Sequence, residues 1–125
     1  MKVRCVTKKR QNKDVEYNGL TKDKEYFVLA IEFYDSSSAF SNSIGDFILY
    51  RIQDNDGVVI PYPAKNFEIV SGELPSNWVT YRKPNASYSI LPRAWAKEYF
   101  WDDYYNDDSY AIEEFKRELK IIYSE

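Results

Sequence analysis

Glu25-Tyr26-Phe27-Val28-Leu29-Ala30-Ile31-Glu32-Phe33-Tyr34 is the stretch of sequence that decides the fold. It is rich in aromatic and β-branched residues and contains neither Gly nor Pro, which predicts one long β-strand. Side chains alternate between the two faces of a strand. One face is wholly apolar and is expected to meet the core: Phe27, Leu29, Ile31 and Phe33. The opposite face carries Tyr26, Val28, Ala30, Glu32 and Tyr34.

A β-hairpin is predicted after this strand. Residues 47–53 and 58–60 are apolar runs on either side of the turn Asp54-Asn55-Asp56-Gly57. Gly accepts the positive φ that tight turns need, so an Asp-Gly turn between such runs is a strong hairpin signal. Further strands are predicted at residues 1–8, 67–70 and 78–82. We expect the last of these to close the sheet against the N-terminal strand.

The remaining segments are predicted as turns and helices. Residues 61–66 contain two prolines, which remove sheet hydrogen-bond donors, so a tight turn or a short 3₁₀ segment is expected there. Residues 83–91 are interpreted as an irregular connector. Helices are predicted over Arg93–Tyr104 and from about Tyr110 to Tyr123, and the second helix has one continuous apolar stripe. The stripe consists of Ile112, Phe115, Leu119 and Ile122.

These elements predict a fold of the α+β class that is mainly β. A chain of 125 residues is long enough for one domain with a core of its own. We expect a single domain over residues 1–125, in which a β-barrel or bent antiparallel sheet spans 1–82. Two C-terminal helices over 92–123 would pack on it as a docked tail.

Composition excludes several kinds of chemistry. The chain has no His and one Cys, so Cys-His catalysis and zinc sites are ruled out. The nucleotide-binding and hydrolase motifs GxxxxGK[ST], GxGxxG and GxSxG are absent, and no Asp or Glu stands in an obviously apolar context. We therefore expect a protein that is not an enzyme and needs no cofactor or metal.

Cysteine usage and hydropathy bear on location. The lone Cys5 cannot form an internal disulfide, which fits a reducing compartment. The N-terminus lacks the apolar region of a signal peptide, and no apolar run approaches the roughly 20 residues of a membrane span. The sequence therefore predicts a cytoplasmic protein without a membrane partner.

The C-terminal third is both acidic and aromatic. No Lys or Arg occurs between Glu98 and Glu114, and Tyr, Phe and Trp are interleaved with the acids. Such a surface suits a basic protein partner, because the charges speed association and the rings supply buried contact area. The predicted partner-binding residues are Glu98, Trp101, Asp102, Asp103, Tyr104, Tyr105, Asp107, Asp108, Glu113 and Glu114.

Other interpretations of the charged and aromatic residues stay open. Trp95, Phe100 and Trp101 can equally be core residues, with the acids serving as helix caps and a solvated face. The aspartates could in principle bind Ca²⁺, but their spacing does not match an EF-hand loop. Nucleic acid would be repelled here, whereas a basic N-terminal group could touch phosphate. That group consists of Lys2, Arg4, Lys8, Lys9, Arg10 and Lys13.

Three segments together resemble a pattern of small bacterial SH3-like barrel proteins. They are Gly19–Val28, Tyr50–Gly57 and Tyr62–Glu68, which lie within roughly residues 17–70. The family pattern runs GLTxGKxYxV, then YxIxxDxG, then YPxxxF. This chain departs from it at Asp23, where the family usually has Gly.

The resemblance implies an SH3-like barrel and a function in protein inhibition. Some of these proteins are similar to immunity proteins of bacterial toxin systems, including contact-dependent growth inhibition. It thus implies binding to a cognate toxin domain, often a basic nuclease such as a ribonuclease, and blockage of its active site. No shared site motif accompanies it, so the site residues above rest on charge and aromaticity. The alternatives are a nucleic-acid-binding SH3-like module and a peptide-binding adaptor of phage or bacterial origin.

Overall fold

Two antiparallel sheets and two helices make up the part of the chain that the computed structural model describes, residues 1–10, 14–34, 47–83 and 87–124. The strands are β1 (Lys2–Cys5), β2 (Glu25–Phe27), β3 (Ala30–Tyr34), β4 (Phe47–Gln53), β5 (Val59–Pro63), β6 (Phe67–Ser71), β7 (Trp78–Arg82) and β8 (Ser87–Pro92). The helices are α1 (Phe100–Tyr105) and α2 (Ser109–Tyr123), with 3₁₀ turns at Ala64–Asn66 and Arg93–Trp95. The predicted α+β, mainly β class with a bent antiparallel sheet and two C-terminal helices is confirmed. The Ser-rich segment 35–46 lies outside the described residues, as does Lys13.

The long strand predicted over residues 25–34 is in fact two strands in different sheets. β2 belongs to a three-stranded sheet in the order β2-β1-β6, and β3 is the middle strand of a five-stranded sheet in the order β5-β4-β3-β8-β7. The chain changes sheet at Val28 and Leu29. The Val28 N–H donates to Met1 O at 3.0 Å, whereas the Leu29 N–H donates to Arg51 O at 2.8 Å. A bend at this point lets one apolar segment contribute to both sheets.

Both faces of the five-stranded sheet contribute residues to the core, which corrects the prediction that only one face of the segment meets the core. One face packs on the three-stranded sheet through residues such as Ile31 and Ile52. The other face packs toward the helices, where Ala30 and Leu91 belong to one apolar cluster with Phe115. This second layer explains why residues from both predicted faces are buried. The second face also carries Glu32, which is 1% exposed.

The segments that carry the family resemblance meet at one corner of the fold. The Asp54 carboxylate accepts hydrogen bonds from the Tyr62 hydroxyl at 2.7 Å and from the turn amides of Asp56 and Val58. Gly19 lies directly against this group, because a Cβ at Gly19 would be 2.5 Å from both Asp54 Oδ2 and the Tyr62 hydroxyl. These three segments therefore form a structural corner, in which Gly19 packs against Asp54 and Tyr62.

The departure from the family pattern at Asp23 also has a structural explanation. Asp23 has φ 70°, in the left-handed region that favours Gly, and Asp tolerates it better than most residues do. The neighbouring turn is fastened by Asn55, which donates to the Thr21 hydroxyl and accepts from the Tyr26 hydroxyl. The Lys24 ammonium donates to the same Asn55 oxygen at 2.8 Å. Position 23 therefore has the left-handed backbone that Gly would accept, with Asp in its place.

The hairpin prediction is confirmed, and of the turn or 3₁₀ segment predicted over residues 61–66 only Ala64–Asn66 is a 3₁₀ turn. β4 and β5 pair antiparallel across the Asp54–Gly57 turn, and Gly57 has φ 76°. The two prolines are strand residues of β5 and not part of the turn. They are tolerated because β5 is an edge strand, so the missing N–H groups break no second ladder.

Two predictions for the following region are wrong. Residues 83–91 include β8, which lies between β3 and β7, so the sheet continues to Pro92 and not only to residue 82. β7 pairs with β8 and not with β1. Ser87 and Ser89 give this segment the composition of a loop. It is nevertheless a strand, because β3 and β7 pair with it on either side.

The first predicted helix is also shorter than expected. Residues 93–95 form a 3₁₀ turn, and α1 begins only at Phe100. Tyr99 precedes it with φ 65°, a left-handed conformation that cannot belong to a right-handed helix. The helix predicted from about Tyr110 is confirmed as α2.

Helix α2 docks through its apolar stripe and a few polar bonds. Phe115 and Ile122 are buried, while Ile112 and Leu119 are half-buried. The Asn77 amide donates to the buried Glu118 carboxylate at 2.9 Å. Within the described part of the chain, no helix combines the length and the apolar character needed to cross a membrane.

Candidate partner-binding site

The predicted partner-binding residues separate into exposed acids, acids with internal partners, and aromatic side chains. Five carboxylates are exposed and form no ion pair among the described residues. We call them the acidic surface: Glu98, Asp102, Asp103, Asp107 and Glu113. They lie on α1, just before it, and at the start of α2, so one short stretch of chain brings them together. The prediction of an exposed acidic segment agrees with these positions.

Two further predicted acids already have partners within the protein. Asp108 is the N-cap of α2, and its Oδ2 accepts from the Ala111 N–H at 3.0 Å. A capping carboxylate satisfies an otherwise free backbone donor and opposes the positive end of the helix. Glu114 forms an ion pair with Lys97 at 2.6 Å. Asp108 and Glu114 therefore stabilise the helical region, and contact with a partner protein would compete with these internal bonds.

The three predicted aromatic residues are mainly structural. Trp101 is 8% exposed and packs edge-to-face against Phe100, with ring centroids 5.0 Å apart. Tyr104 is half-buried against Phe115, at 4.5 Å between centroids. Tyr105 is 47% exposed, although its hydroxyl is engaged inside the protein. Trp101 thus belongs to the core, and Tyr105 is the predicted ring with the most accessible area.

A buried ionic network lies directly beneath α1. The Arg51 Nε donates to Glu32 Oε2 at 2.5 Å, and the Arg51 Nη1 donates to the Tyr105 hydroxyl at 2.7 Å. The Tyr105 hydroxyl donates to the Val59 carbonyl. The Arg51 guanidinium also lies over the Trp101 ring, 4.3 Å from its centroid. The network ties α1 to strands β3, β4 and β5.

The charges in this network perturb the pKa values around it. Burial would lower the pKa of Arg51, but the charge and hydrogen bond of Glu32, together with nearby Tyr105 and Tyr34, raise that pKa by more, so the guanidinium stays charged. Burial and the Glu32 charge raise the pKa of Tyr34 to about 12. The network is therefore a fixed pair of opposite charges with neutral phenols around it.

Sequence reasoning missed this pair, since it expected no acid in an apolar environment. Glu32 is 1% exposed and Arg51 is 7% exposed. The available signal was one charge inside each of two otherwise apolar runs, at Glu32 within residues 26–34 and at Arg51 within residues 47–53. Lone opposite charges on neighbouring buried strands are expected to pair, because an isolated buried charge is very costly.

A pocket of about 320 Å³ opens next to the acidic surface. Its floor is formed by buried apolar residues, Leu91, Trp95 and Phe100. Tyr81 of β7 and Tyr99 line it, as do Glu98 and Asp102. Lys83 and Lys97 also line it, and Lys97 is the residue paired with Glu114.

Three members of the basic N-terminal group contact neighbouring side chains. Arg4 forms an ion pair with Glu68 of the adjacent strand β6. The Lys2 ammonium lies 4.9 Å from the Phe27 ring centroid, and the Arg10 guanidinium lies 5.6 Å from that of Tyr17. Lys9 and Arg10 remain exposed at the end of the described part of this group.

Neither a cluster of metal-ligating side chains nor a similar known protein points to a further site among the described residues. In residues 1–10, 14–34, 47–83 and 87–124, no three potential metal-ligating side chains converge, and this includes the aspartates considered for Ca²⁺. No protein-family model matches the chain, and no curated protein or solved structure is similar enough to be matched to it.

Proposed function

We propose that this protein is a non-catalytic, cytoplasmic immunity protein that binds and neutralises a cognate bacterial toxin domain. The acidic surface would occupy the basic active site of the toxin, as expected for a nuclease or ribonuclease target. The observation that carries the proposal is the set of five exposed carboxylates that form no ion pair within the described part of the chain. The family resemblance supports it independently.

The charge pattern supports a basic partner over other macromolecules. The net charge is −3, and the run from Glu98 to Glu114 contains no base, so phosphate would be repelled from this surface. Carboxylates can instead take the places of substrate phosphates against the Lys and Arg residues of a nuclease. Complementary charge of this kind raises the association rate and rejects wrong partners.

The support beneath the surface favours a preformed binding site. α1 is held from below by Arg51 through Tyr105 and Trp101, and α2 is capped at its start by Asp108. A surface that is already ordered loses little conformational entropy on binding. We therefore expect fast, salt-dependent association without a large rearrangement of this chain.

The first experiment identifies the partner by rescue. The tagged chain is expressed in its bacterial host, and proteins that co-purify are expressed alone and together with it. The proposal expects a basic partner that is toxic alone and harmless in the presence of this chain. Recovery of RNA without protein would instead favour a nucleic-acid-binding module, and a partner without toxicity would favour an adaptor.

The second experiment tests the surface itself with matched variants. Asp102→Asn, Asp103→Asn and Asp107→Asn together remove three charges, and Asp108 is kept because it caps α2. The control removes three charges elsewhere, through exchanges to Gln at Glu16, Glu25 and Glu73, which are exposed. We expect the first set to slow association at low ionic strength by about tenfold and to flatten its salt dependence. Equal behaviour of the two sets would show that net charge, and not this surface, governs binding.

A further inference from the structure

The pocket beside the acidic surface combines features that suit a cation. Two of the five acidic-surface carboxylates, Glu98 and Asp102, line it directly. Tyr81 and Tyr99 also line it, and among the described residues neither ring pairs with another aromatic ring. Ring faces and carboxylates together form the environment in which proteins hold ammonium and guanidinium groups.

The lining lysines do not cancel this preference. The Lys97 ammonium is held by Glu114 at 2.6 Å, so its charge is neutralised within the protein. Lys83 follows the end of β7 on the sheet side, and Glu98 and Asp102 flank the start of α1. The helical side of the pocket therefore has a local excess of negative charge.

Backbone strain at Tyr99 points to the same place. Tyr99 has φ 65° and is 64% exposed, an unusual combination for a bulky residue. Its hydroxyl bonds to Glu98, which raises the pKa of the Tyr99 phenol. Conformations of this kind persist where the surrounding structure holds them, and they are concentrated at ligand-binding positions.

We infer that this pocket receives one arginine side chain of the basic partner, with the guanidinium against the Tyr99 ring and the Glu98 and Asp102 carboxylates. A volume of about 320 Å³ accommodates one long side chain and excludes a folded segment. The apolar floor of Leu91 and Phe100 suits the methylene stem of that arginine. This inference rests on the proposed function, because it names the group by which the toxin is anchored.

The pocket chemistry is tested first without any partner. N-acetyl-arginine amide is titrated into the full chain and followed by amide chemical shifts, with N-acetyl-citrulline amide as an uncharged probe of the same shape. We expect saturable shifts in residues 81–83 and 97–102 with the arginine probe, and binding of the citrulline probe weaker by about fivefold or more. Equal binding of the two probes, or shifts elsewhere, would overturn the inference.

Variants separate the pocket from general effects. Tyr99→Gly deletes the ring while keeping a residue that accepts the left-handed backbone. Tyr110→Ala is the matched control, since Tyr110 is 78% exposed and does not line the pocket. The arginine probe should lose saturable binding only in Tyr99→Gly.

The same variants distinguish failure of this inference from failure of the proposed function. Against the toxin, Tyr99→Gly should speed dissociation by about fivefold and leave the salt dependence unchanged. If Tyr99→Gly binds the toxin as tightly as the wild type, the pocket is not the anchor although the immunity function stands. If no toxin partner exists, the proposed function fails, and the inference that the pocket takes a partner's arginine fails with it.

Discussion

Replacing Arg51 with Met should severely destabilise the protein. The change leaves the Glu32 carboxylate, 1% exposed, with a long bond from the Tyr34 hydroxyl at 3.3 Å and without a compensating charge. Removing one partner of a buried ion pair costs about 3–5 kcal/mol. The bond to Tyr105 and the contact with Trp101 are lost as well. We therefore expect the free energy of unfolding to fall by about 4 kcal/mol, a large part of the total for a domain of this size.

Two controls show whether burial is the cause. Arg4→Met removes an exposed cross-strand ion pair with Glu68, whose side chains are 44% and 49% exposed, and should cost about 1 kcal/mol or less. The double variant Glu32→Met with Arg51→Met removes both charges together. Its stability should lie within about 1 kcal/mol of the wild type or above it, because neither charge is left stranded.

The assay is equilibrium unfolding in urea, followed by the fluorescence of Trp101 and the other tryptophans. Measurements at low and high salt should show the same loss for Arg51→Met, because a buried pair is poorly screened. A loss no larger than that of Arg4→Met would refute the reasoning. So would a double variant as unstable as the sum of its single variants, since the coupling between the two charges would then be absent.

Two further predictions concern the close packing at the Gly19 corner and the buried phenol of Tyr34. Gly19→Ala should lower the free energy of unfolding by about 1–3 kcal/mol, because the added methyl group would overpack against Asp54. Gly72→Ala is the control and should change it little, since the nearest atom to the added Cβ would be 3.8 Å away. Equal effects of the two variants in urea unfolding would contradict the close approach of Gly19 to Asp54. The pKa of Tyr34 is raised to about 12, so the folded state keeps the phenol proton that the unfolded state releases at about pH 10. Stability should therefore be unaffected by this group below about pH 10 and fall from there to about pH 12, and Tyr34→Phe should reduce that slope in alkaline unfolding followed by circular dichroism.

Much of the candidate site was predictable because it depends on exposure and charge. Glu98, Asp102 and Asp103 are close in sequence, so their proximity in space needs no tertiary information. Trp101 shows the limit of that reasoning. Its contacts with Arg51 and Phe100 arise only when α1 folds onto the sheet, and an aromatic residue within an acidic run does not reveal whether its ring is buried.

The sequence by itself determined the local elements with strong signals: the hairpin around Gly57, the 3₁₀ segment after it, and helix α2. In each case the decisive information lies within a few residues, in a turn glycine, a proline or a 3.6-residue apolar period. Only the tertiary structure decided which strands pair, that residues 25–34 bend at Val28 from one sheet into another, and that β8 is a strand. Those outcomes depend on hydrogen bonds and packing surfaces supplied by distant segments. The Glu32–Arg51 pair and the pocket at Tyr99 exist for the same reason, because neither forms until two layers of the fold enclose it.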